Sequence, residues 1–275
     1  MNLTSILVYV DNTSRSERSL TVAAKLAREH DAHLIGLAVR PPVAIPTYAS
    51  VHVPQEVFEM YEKDLDEQMS AAKAQFDHAV ELAGWQSRSE WATARGDIGV
   101  AMCTEGRAVD LIVMGQENED DDPLQYRGVP DYVILEAGRP VLLVPYVGRV
   151  ENFGKRVVVG WNATRESARA LKDALPFLNK ASEVEIICVN PPEDEELFGS
   201  DAARFLAQHG INARVSREIA KDITPEDVIL NSVADSDADL LVLGAYGHSR
   251  IRELILGGVS NHILKRMTTT VLMSH

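Results

Sequence analysis

The chain has 275 residues and a net charge of −14, with 45% hydrophobic and 25% charged residues. This composition is typical of a globular protein of about two domains, and it excludes wholesale disorder. The acidic excess argues against nucleic acid or an anionic membrane surface as a partner. Because no apolar run approaches the roughly 18 residues that span a bilayer, we also expect no membrane segment.

The cysteine content bears on the cellular compartment. Cys103 and Cys188 are too few and too far apart for a disulfide framework or a thiolate metal site. We expect both thiols to be reduced and buried. Residues 1–5 lack the basic flank of a signal peptide, so the sequence predicts a cytoplasmic protein.

The first half of the chain begins with a predicted strand at Ile6–Val10 and then shows a proline-rich loop from Pro41 to Pro54. A long amphipathic helix follows this loop, because apolar residues recur at spacings of three to four. These residues are Val57, Tyr61, Leu65, Met69, Ala72, Phe76 and Val80. We expect this helix to cover one face of a sheet, and a lid or a partner-docking helix is the alternative.

The second half alternates short apolar runs with helical periods. The apolar runs are Val157–Val159, Glu185–Val189 and Leu240–Leu243. The helical periods between them are Ser167–Leu178 and Glu226–Ala234. The runs are apolar on both faces, as buried parallel strands require, and the alternation predicts a doubly wound α/β sheet with helices on both sides. Gly148 and Gly154 interrupt the pattern between the halves, so we place two domains at 1–150 and 151–275.

The two halves also match each other in residue order. Asp11 stands 151 residues before Asn162, and Gly115 stands 129 residues before Gly244. The offset is 150 at Val39 and Val189 and falls to 129 after them, because the first half holds some 21 extra residues between Pro41 and Gly84, where the loop and long helix lie. An internal repeat of this kind predicts two tandem copies of one fold.

A candidate binding site lies in the second half, since ligands bind at the carboxyl ends of the strands in a doubly wound sheet. Asn162 follows one strand, and a loop that starts at Gly244 and Gly247 follows another. Glycines let backbone N–H groups approach a phosphate, and the helix predicted at Asn261–Met267 would favour an anion at its start. Trp161 could stack on a base, and a core role is the alternative.

The spacing of Gly244, Gly247 and Gly257, followed by Ser260, resembles the signature of the universal stress protein family. The resemblance covers the whole chain as two tandem domains. It implies that each half is a parallel five-stranded sheet in the order 3-2-1-4-5, the adenine nucleotide alpha hydrolase-like arrangement, with ATP in its crevice. It also implies that Val141–Val144 and Val271–Met273, the last strands, pair as an internal pseudo-dimer.

The resemblance carries family roles onto single residues. Asn162 stands where an Asp meets the base or ribose, and Val189 stands where a valine contacts adenine. We take ten residues as the candidate site: Trp161, Asn162, Val189, Leu243, Gly244, Gly247, Gly257, Gly258, Val259 and Ser260. Asn162 and Gly258 replace the family's usual Asp and its usual Ser or Thr, and we expect these changes to weaken or retune nucleotide binding.

The first half departs further from the family pattern. Asp11, Gly115 and Gly128 are in register, but Asn118 stands where the second half has Gly247. Acidic residues at 117 and 119–122 would repel a triphosphate. We expect them to form a solvated loop in preference to a Mg²⁺ site, and we interpret this half as a degenerate domain that has lost nucleotide binding.

Motifs for catalysis are absent from the sequence: it has no lysine-containing phosphate loop, no His-Glu-x-x-His pair and no nucleophile elbow. The sequence therefore predicts a stress-response protein that binds ATP, with or without Mg²⁺, or a related adenine nucleotide in the second half. We expect it to act as a sensor or regulator, with slow hydrolysis at most. The alternative is a scaffold that binds no nucleotide, and a homodimer of chains is left open.

Overall fold

The computed structural model describes residues 2–42, 55–118, 120, 122–148, 150, 153–193, 197–245 and 259–275. The first half contains β1 (Ser5–Tyr9), α1 (Ser14–His30), β2 (His33–Arg40), α2 (Gln55–Ala83), β3 (Ser89–Arg95), α3 (Ile98–Gly106), β4 (Leu111–Gly115), α4 (Val129–Glu136) and β5 (Val141–Val144). The second half contains β6 (Arg156–Gly160), α5 (Arg165–Asp173), α6 (Leu175–Leu178), β7 (Glu183–Val189), α7 (Ser200–Gln208), β8 (Arg214–Glu218), α8 (Pro225–Asp235), β9 (Leu240–Gly244), α9 (Val259–Arg266) and β10 (Thr270–Ser274).

The strands of the described residues join in a single sheet of ten, in the order β3-β2-β1-β4-β5-β10-β9-β6-β7-β8. Neighbouring strands are parallel within each half. The two halves meet where β5 and β10 pair antiparallel, with Val271 opposite Leu143 and Met273 opposite Val141. The predicted fold of two tandem α/β sheets is confirmed, and the internal pseudo-dimer continues one sheet through both halves.

Local sequence explains where the helices begin and end. Thr13 and Thr164 hold equivalent places before α1 and α5, and each side chain accepts a hydrogen bond from a backbone N–H in the first turn. Such caps satisfy donors that have no partner inside the helix. The single helix predicted over Ser167–Leu178 is divided at Ala174, because Pro176 is tolerated only in the first turn of a new helix.

The long predicted helix is present as α2. Its buried residues Leu65, Ala72, Phe76 and Val80 recur at helical spacing, and the Phe76 ring packs directly over the backbone of Gly36 in β2. This part of the helix covers the sheet, as predicted. No helix of the described segments is both long enough and apolar enough to cross a membrane.

The core has two layers, one on each face of the sheet, and both continue across the junction between the halves. Leu142 and Leu272 belong to one layer, while Leu143 and Val271 belong to the other. All four side chains are fully buried. Each such side chain contributes about 1.5–3 kcal/mol through removal from water, so the junction is an integral part of the core. Both cysteines are free and buried, as the sequence predicted.

A second contact between the halves involves His30 at the end of α1, whose surface is only 4% exposed. Its Nδ1 faces the backbone N–H of Leu3 at 3.5 Å, and its Nε2 lies 3.2 Å from Nζ of Lys180 in the second half. The ring also meets the edge of Phe177. Burial and the nearby Lys180 ammonium lower the pKa of His30, although Glu29 opposes them.

We expect the free energy of unfolding to fall as the pH drops below about 6.5, the ordinary pKa of histidine. Unfolded His30 then binds a proton that folded His30 resists, so protonation favours the unfolded state. Replacement His30→Gln should make this loss shallower in urea unfolding curves recorded between about pH 5 and pH 8. The control is His78→Gln at an exposed position on α2. Equal pH dependence in the two variants would contradict the assignment.

Candidate functional site

The crevice of the second half opens between the carboxyl ends of β6 and β9, which are parallel neighbours. After β6 the chain enters α5, which packs on β9 and β10 from one side of the sheet. After β9 the chain reaches α9, whose buried residues Ile263 and Leu264 belong to the core layer on the opposite side. The chain thus leaves adjacent strands in opposite directions, which is the arrangement that forms a ligand crevice.

Asn162 lies exposed just beyond β6. Its Oδ1 accepts hydrogen bonds from the backbone N–H of Thr164 at 3.3 Å and from the Thr164 hydroxyl at 2.8 Å. The amide oxygen is therefore engaged in the turn that starts α5. Because the Nδ2 group has no partner within the described part of the chain, Asn162 offers the crevice a donor.

Two glycines allow other groups to pack closely against the ends of β6 and β9. A Cβ atom at Gly244 would collide with the backbone of Ser167 in the first turn of α5. At Gly160 a Cβ atom would lie 2.5 Å from Cδ2 of Leu243, whose side chain covers the end of β6. Leu243 is buried and Val189 is half-buried, and both belong to the core layer on the α9 side. The structure thus places Leu243 and Val189 on one face, next to Gly160.

Trp161 is not brought together with those residues. It is 8% exposed and belongs to the other core layer, near Gly199 at the start of α7. The core role left open by the sequence is therefore the observed one. The indole Nε1 is buried and has no hydrogen-bond acceptor among the residues described.

The remaining predicted residues concern the loop before α9. Val259 and Ser260 form the first turn of this helix, and Ser260 is only 7% exposed. Three predicted phosphate-binding glycines lie outside the described residues: Gly247, Gly257 and Gly258. Their roles therefore stay predictions.

Glu166 also lies at this crevice, and the sequence analysis missed it. Its side chain is 3% exposed and is hydrogen-bonded by Nε of Arg165. Burial raises the pKa of Glu166, but hydrogen bonds from Arg165, from its own backbone and from Thr164 outweigh burial and hold the pKa below its usual value. The backbone of Glu166 lies next to Gly244, where a Cβ atom would meet its carbonyl carbon. The repeat contained a signal for it, since Glu166 is equivalent to Arg15.

The equivalent crevice of the first half is filled by the chain's own side chains, and Arg15 is at its centre. Arg15 is 5% exposed; its Nη2 lies 2.5 Å from Asp11 and its Nε lies 2.7 Å from Asp122. The guanidinium stacks 3.4 Å from the centre of the Tyr126 ring. Its aliphatic part passes so close to Gly115 that any side chain there would collide with it.

Two tyrosines occupy the rest of this space. Tyr9 and Tyr126 stack with their ring centres 5.5 Å apart, and both are buried. The Tyr126 hydroxyl donates a hydrogen bond to the Gly115 carbonyl at 2.8 Å. Burial raises the pKa of both phenols, so they remain neutral. Tyr9 stands where the second half has Gly160, so one half contains an aromatic ring where the other has no side chain.

Acidic side chains also engage the backbone N–H groups that precede α4. Glu117 accepts a hydrogen bond from Gly128 N–H at 2.7 Å, and Asp122 accepts one from Asn118 N–H at 2.7 Å. The expectation of a solvated acidic loop is wrong for Asp122, whose side chain is 4% exposed and paired with Arg15, whereas Glu117 stays partly exposed. Glu119 and Asp121 lie outside the described residues. Among those described, no three acidic, histidine or cysteine side chains form a metal-binding group.

We expect Arg15→Ala to lower the free energy of unfolding by about 3–5 kcal/mol, because it leaves the carboxylates of Asp11 and Asp122 buried without a cation. Urea denaturation measures this loss. Arg88→Ala is the control, since Arg88 pairs with Asp31 at the surface and should cost at most about 1 kcal/mol. Similar losses in both variants would show that Arg15 is not a central support of the first half.

The sequence profile of the Universal stress protein family matches residues 2–145 and 154–275. The chain belongs to this family. A universal stress protein from Archaeoglobus fulgidus DSM 4304 has the same fold, with a TM-score of 0.79 and 20% identity over 98% of this chain and 95% of that chain.

Two curated universal stress proteins are similar in sequence. The protein Rv1636 of Mycobacterium tuberculosis is 26% identical over 140 residues, which are 44% of this chain and 96% of that protein. The protein Slr1230 of Synechocystis is 40% identical over 47 residues, and this match spans 17% of the chain and only 16% of that protein. Rv1636 thus corresponds in length to one half of this universal stress protein.

Proposed function

We propose that this universal stress protein binds one adenine nucleotide per chain, ATP or a close relative, in the crevice of the second half. We further propose that it acts there as a sensor or regulator in the cytoplasm. The supporting observation is the difference between the two crevices. Tyr9 and Arg15 fill the first, whereas the second has Gly160 in place of Tyr9 and an exposed Asn162 just beyond β6.

The proposal gives each candidate residue a role. Val189 and Leu243 supply the apolar surface on which a base would rest, while the Asn162 amide donates to the base or the ribose. The phosphates would meet the loop and the start of α9, where backbone N–H groups favour an anion. These residues are Gly244, Gly247, Gly257, Gly258, Val259 and Ser260. Trp161 supports the site from the core behind it.

Charge bears on the form of the nucleotide. The whole chain carries −14, and the buried carboxylate of Glu166 lies in the first turn of α5. A bare triphosphate would meet repulsion from this charge. The proposal therefore favours a nucleotide whose charge is partly neutralised by Mg²⁺.

Calorimetric titration of the full chain with ATP and Mg²⁺ should give one site per chain, because Tyr9, Arg15 and Tyr126 occupy the equivalent crevice of the first half. Two equivalent sites would contradict the conclusion that the first half is closed by its own side chains. No detectable binding of ATP, AMP or GTP would favour the alternative, a scaffold of tandem domains without nucleotide.

Replacement Gly160→Tyr gives the second crevice the residue that the first half has at Tyr9. We expect it to weaken ATP binding by more than about tenfold, because the ring would occupy the space proposed for the base. Gly160→Ala is the smaller change at the same position: its Cβ would lie 2.5 Å from Cδ2 of Leu243, so only the end of this flexible side chain must shift. This variant should retain binding within about threefold, less than one hydrogen bond is worth. Circular dichroism confirms that both variants fold, and unchanged affinity in Gly160→Tyr would place the site elsewhere.

A further inference from the structure

A groove lies between α8 and the outer strands β7 and β8, on the face of the sheet opposite α7. Its volume is about 1010 Å³. One end is apolar and exposed, with Ile219 and Ile223 after β8. The other end is polar, and its lining includes Glu185, Asn212, Arg214, Asn231 and Ser232.

The first half has apolar residues at the corresponding strand positions. Leu7 of β1 pairs with Ile35, just as Val158 of β6 pairs with Glu185, so Ile35 and Glu185 are equivalent. Ile35 packs against the core of its half. The same register makes Ala92 equivalent to Ser216 and Ala94 equivalent to Glu218, and both alanines pack against the core.

The covering helices differ in the same way. Helices α3 and α8 each end five residues before the next strand, which makes Met102 equivalent to Asn231 and Cys103 equivalent to Ser232. Met102 and Cys103 are buried in the core. Five apolar positions of one half are therefore polar in the other. Glu218 and Asn231 are exposed and the other three are half-buried, so this face of the second half forms a groove where the first half has packed core.

The charges of the groove indicate its ligand. Glu185 faces it with a side chain only 17% exposed, paired at 3.2 Å with Arg214, whose own side chain is 78% exposed. Such a half-exposed pair contributes little to stability, so a ligand cation can displace Arg214 at low cost. The ionisable lining residues are Arg156 and Arg214 against Glu183, Glu185, Glu218 and Asp235, two positive and four negative.

A hydroxyl without a partner lies on the same face. The Ser216 Oγ is shielded and has no hydrogen-bond partner in the described part of the structure. We propose that this groove binds a small organic cation, an amine or guanidinium group on a short hydrocarbon chain. Glu185 is its counter-ion, and Ile219 and Ile223 contact its hydrocarbon part. The site is independent of the nucleotide proposal, since a net negative groove repels nucleotides.

Titrations of the full chain, followed by backbone amide NMR shifts, test this proposal with four probes that share a four-carbon chain, of which agmatine is the largest and carries two cationic groups. Agmatine and n-butylamine carry the cation, n-butanol lacks the charge, and butyrate reverses it. We expect saturable shifts in β8 and α8 with both cations, and none with butanol or butyrate. Absence of saturation with the cations at tens of millimolar, or equal shifts with butanol, would overturn the proposal.

Two matched variants locate the counter-ion. Glu185→Gln should weaken agmatine binding by about tenfold, because it removes the inward charge. Glu183→Gln makes the same change two residues earlier on β7, where the side chain is 72% exposed, and should alter the affinity by at most about twofold. Equal effects of the two variants would overturn the assignment. ATP affinity should be unchanged in both variants. The agmatine titration therefore tests the groove even if the chain binds no nucleotide.

Discussion

The antiparallel pairing of β5 with β10 is the interaction on which the rest of the molecule depends. Each strand would otherwise be an apolar edge, open to pairing with another chain. Their side chains alternate between the two core layers, so both layers run through the junction. The polar contacts across it follow from this pairing, because it brings α4 beside α9. Gln116 then reaches the Leu264 carbonyl at 2.8 Å, and Asn261 lies 3.4 Å from Asp131.

The fold could be predicted because its signals are local or repeated. The period of apolar residues identified α2, and the matched segments identified two copies of one α/β unit. The pairing of the last strands came from the family resemblance, since nothing in Val141–Val144 specifies a partner. The division at Pro176 was visible in the sequence, but periodicity alone favoured one continuous helix.

The sites were harder to predict, because their key contacts join residues that are distant in sequence. Arg15 and Asp122 lie 107 positions apart. Counting charges along the loop revealed its acidic residues, but not that Arg15 of α1 pairs with one of them. Glu117 and Asp122 were expected in solvent for this reason. The aligned repeats show Tyr9 at the position of Gly160. Only the structure shows that Tyr126 stacks on Tyr9 and that the two rings fill the first crevice. Trp161 shows a different difficulty: an aromatic residue that follows a strand can belong either to a binding site or to the core, and sequence alone does not distinguish the two.

The covalent connection between the halves has a consequence for how the two crevices can differ. In a dimer of identical subunits, any substitution appears in both sites at once. Here Tyr9 and Gly160, or Arg15 and Glu166, can diverge separately, so the first crevice is filled by an aromatic ring and a guanidinium that the second does not have. Pairing is also intramolecular, and its effective concentration is set by the linker and not by expression level. A scarce chain therefore assembles as completely as an abundant one, and dilution cannot separate its halves.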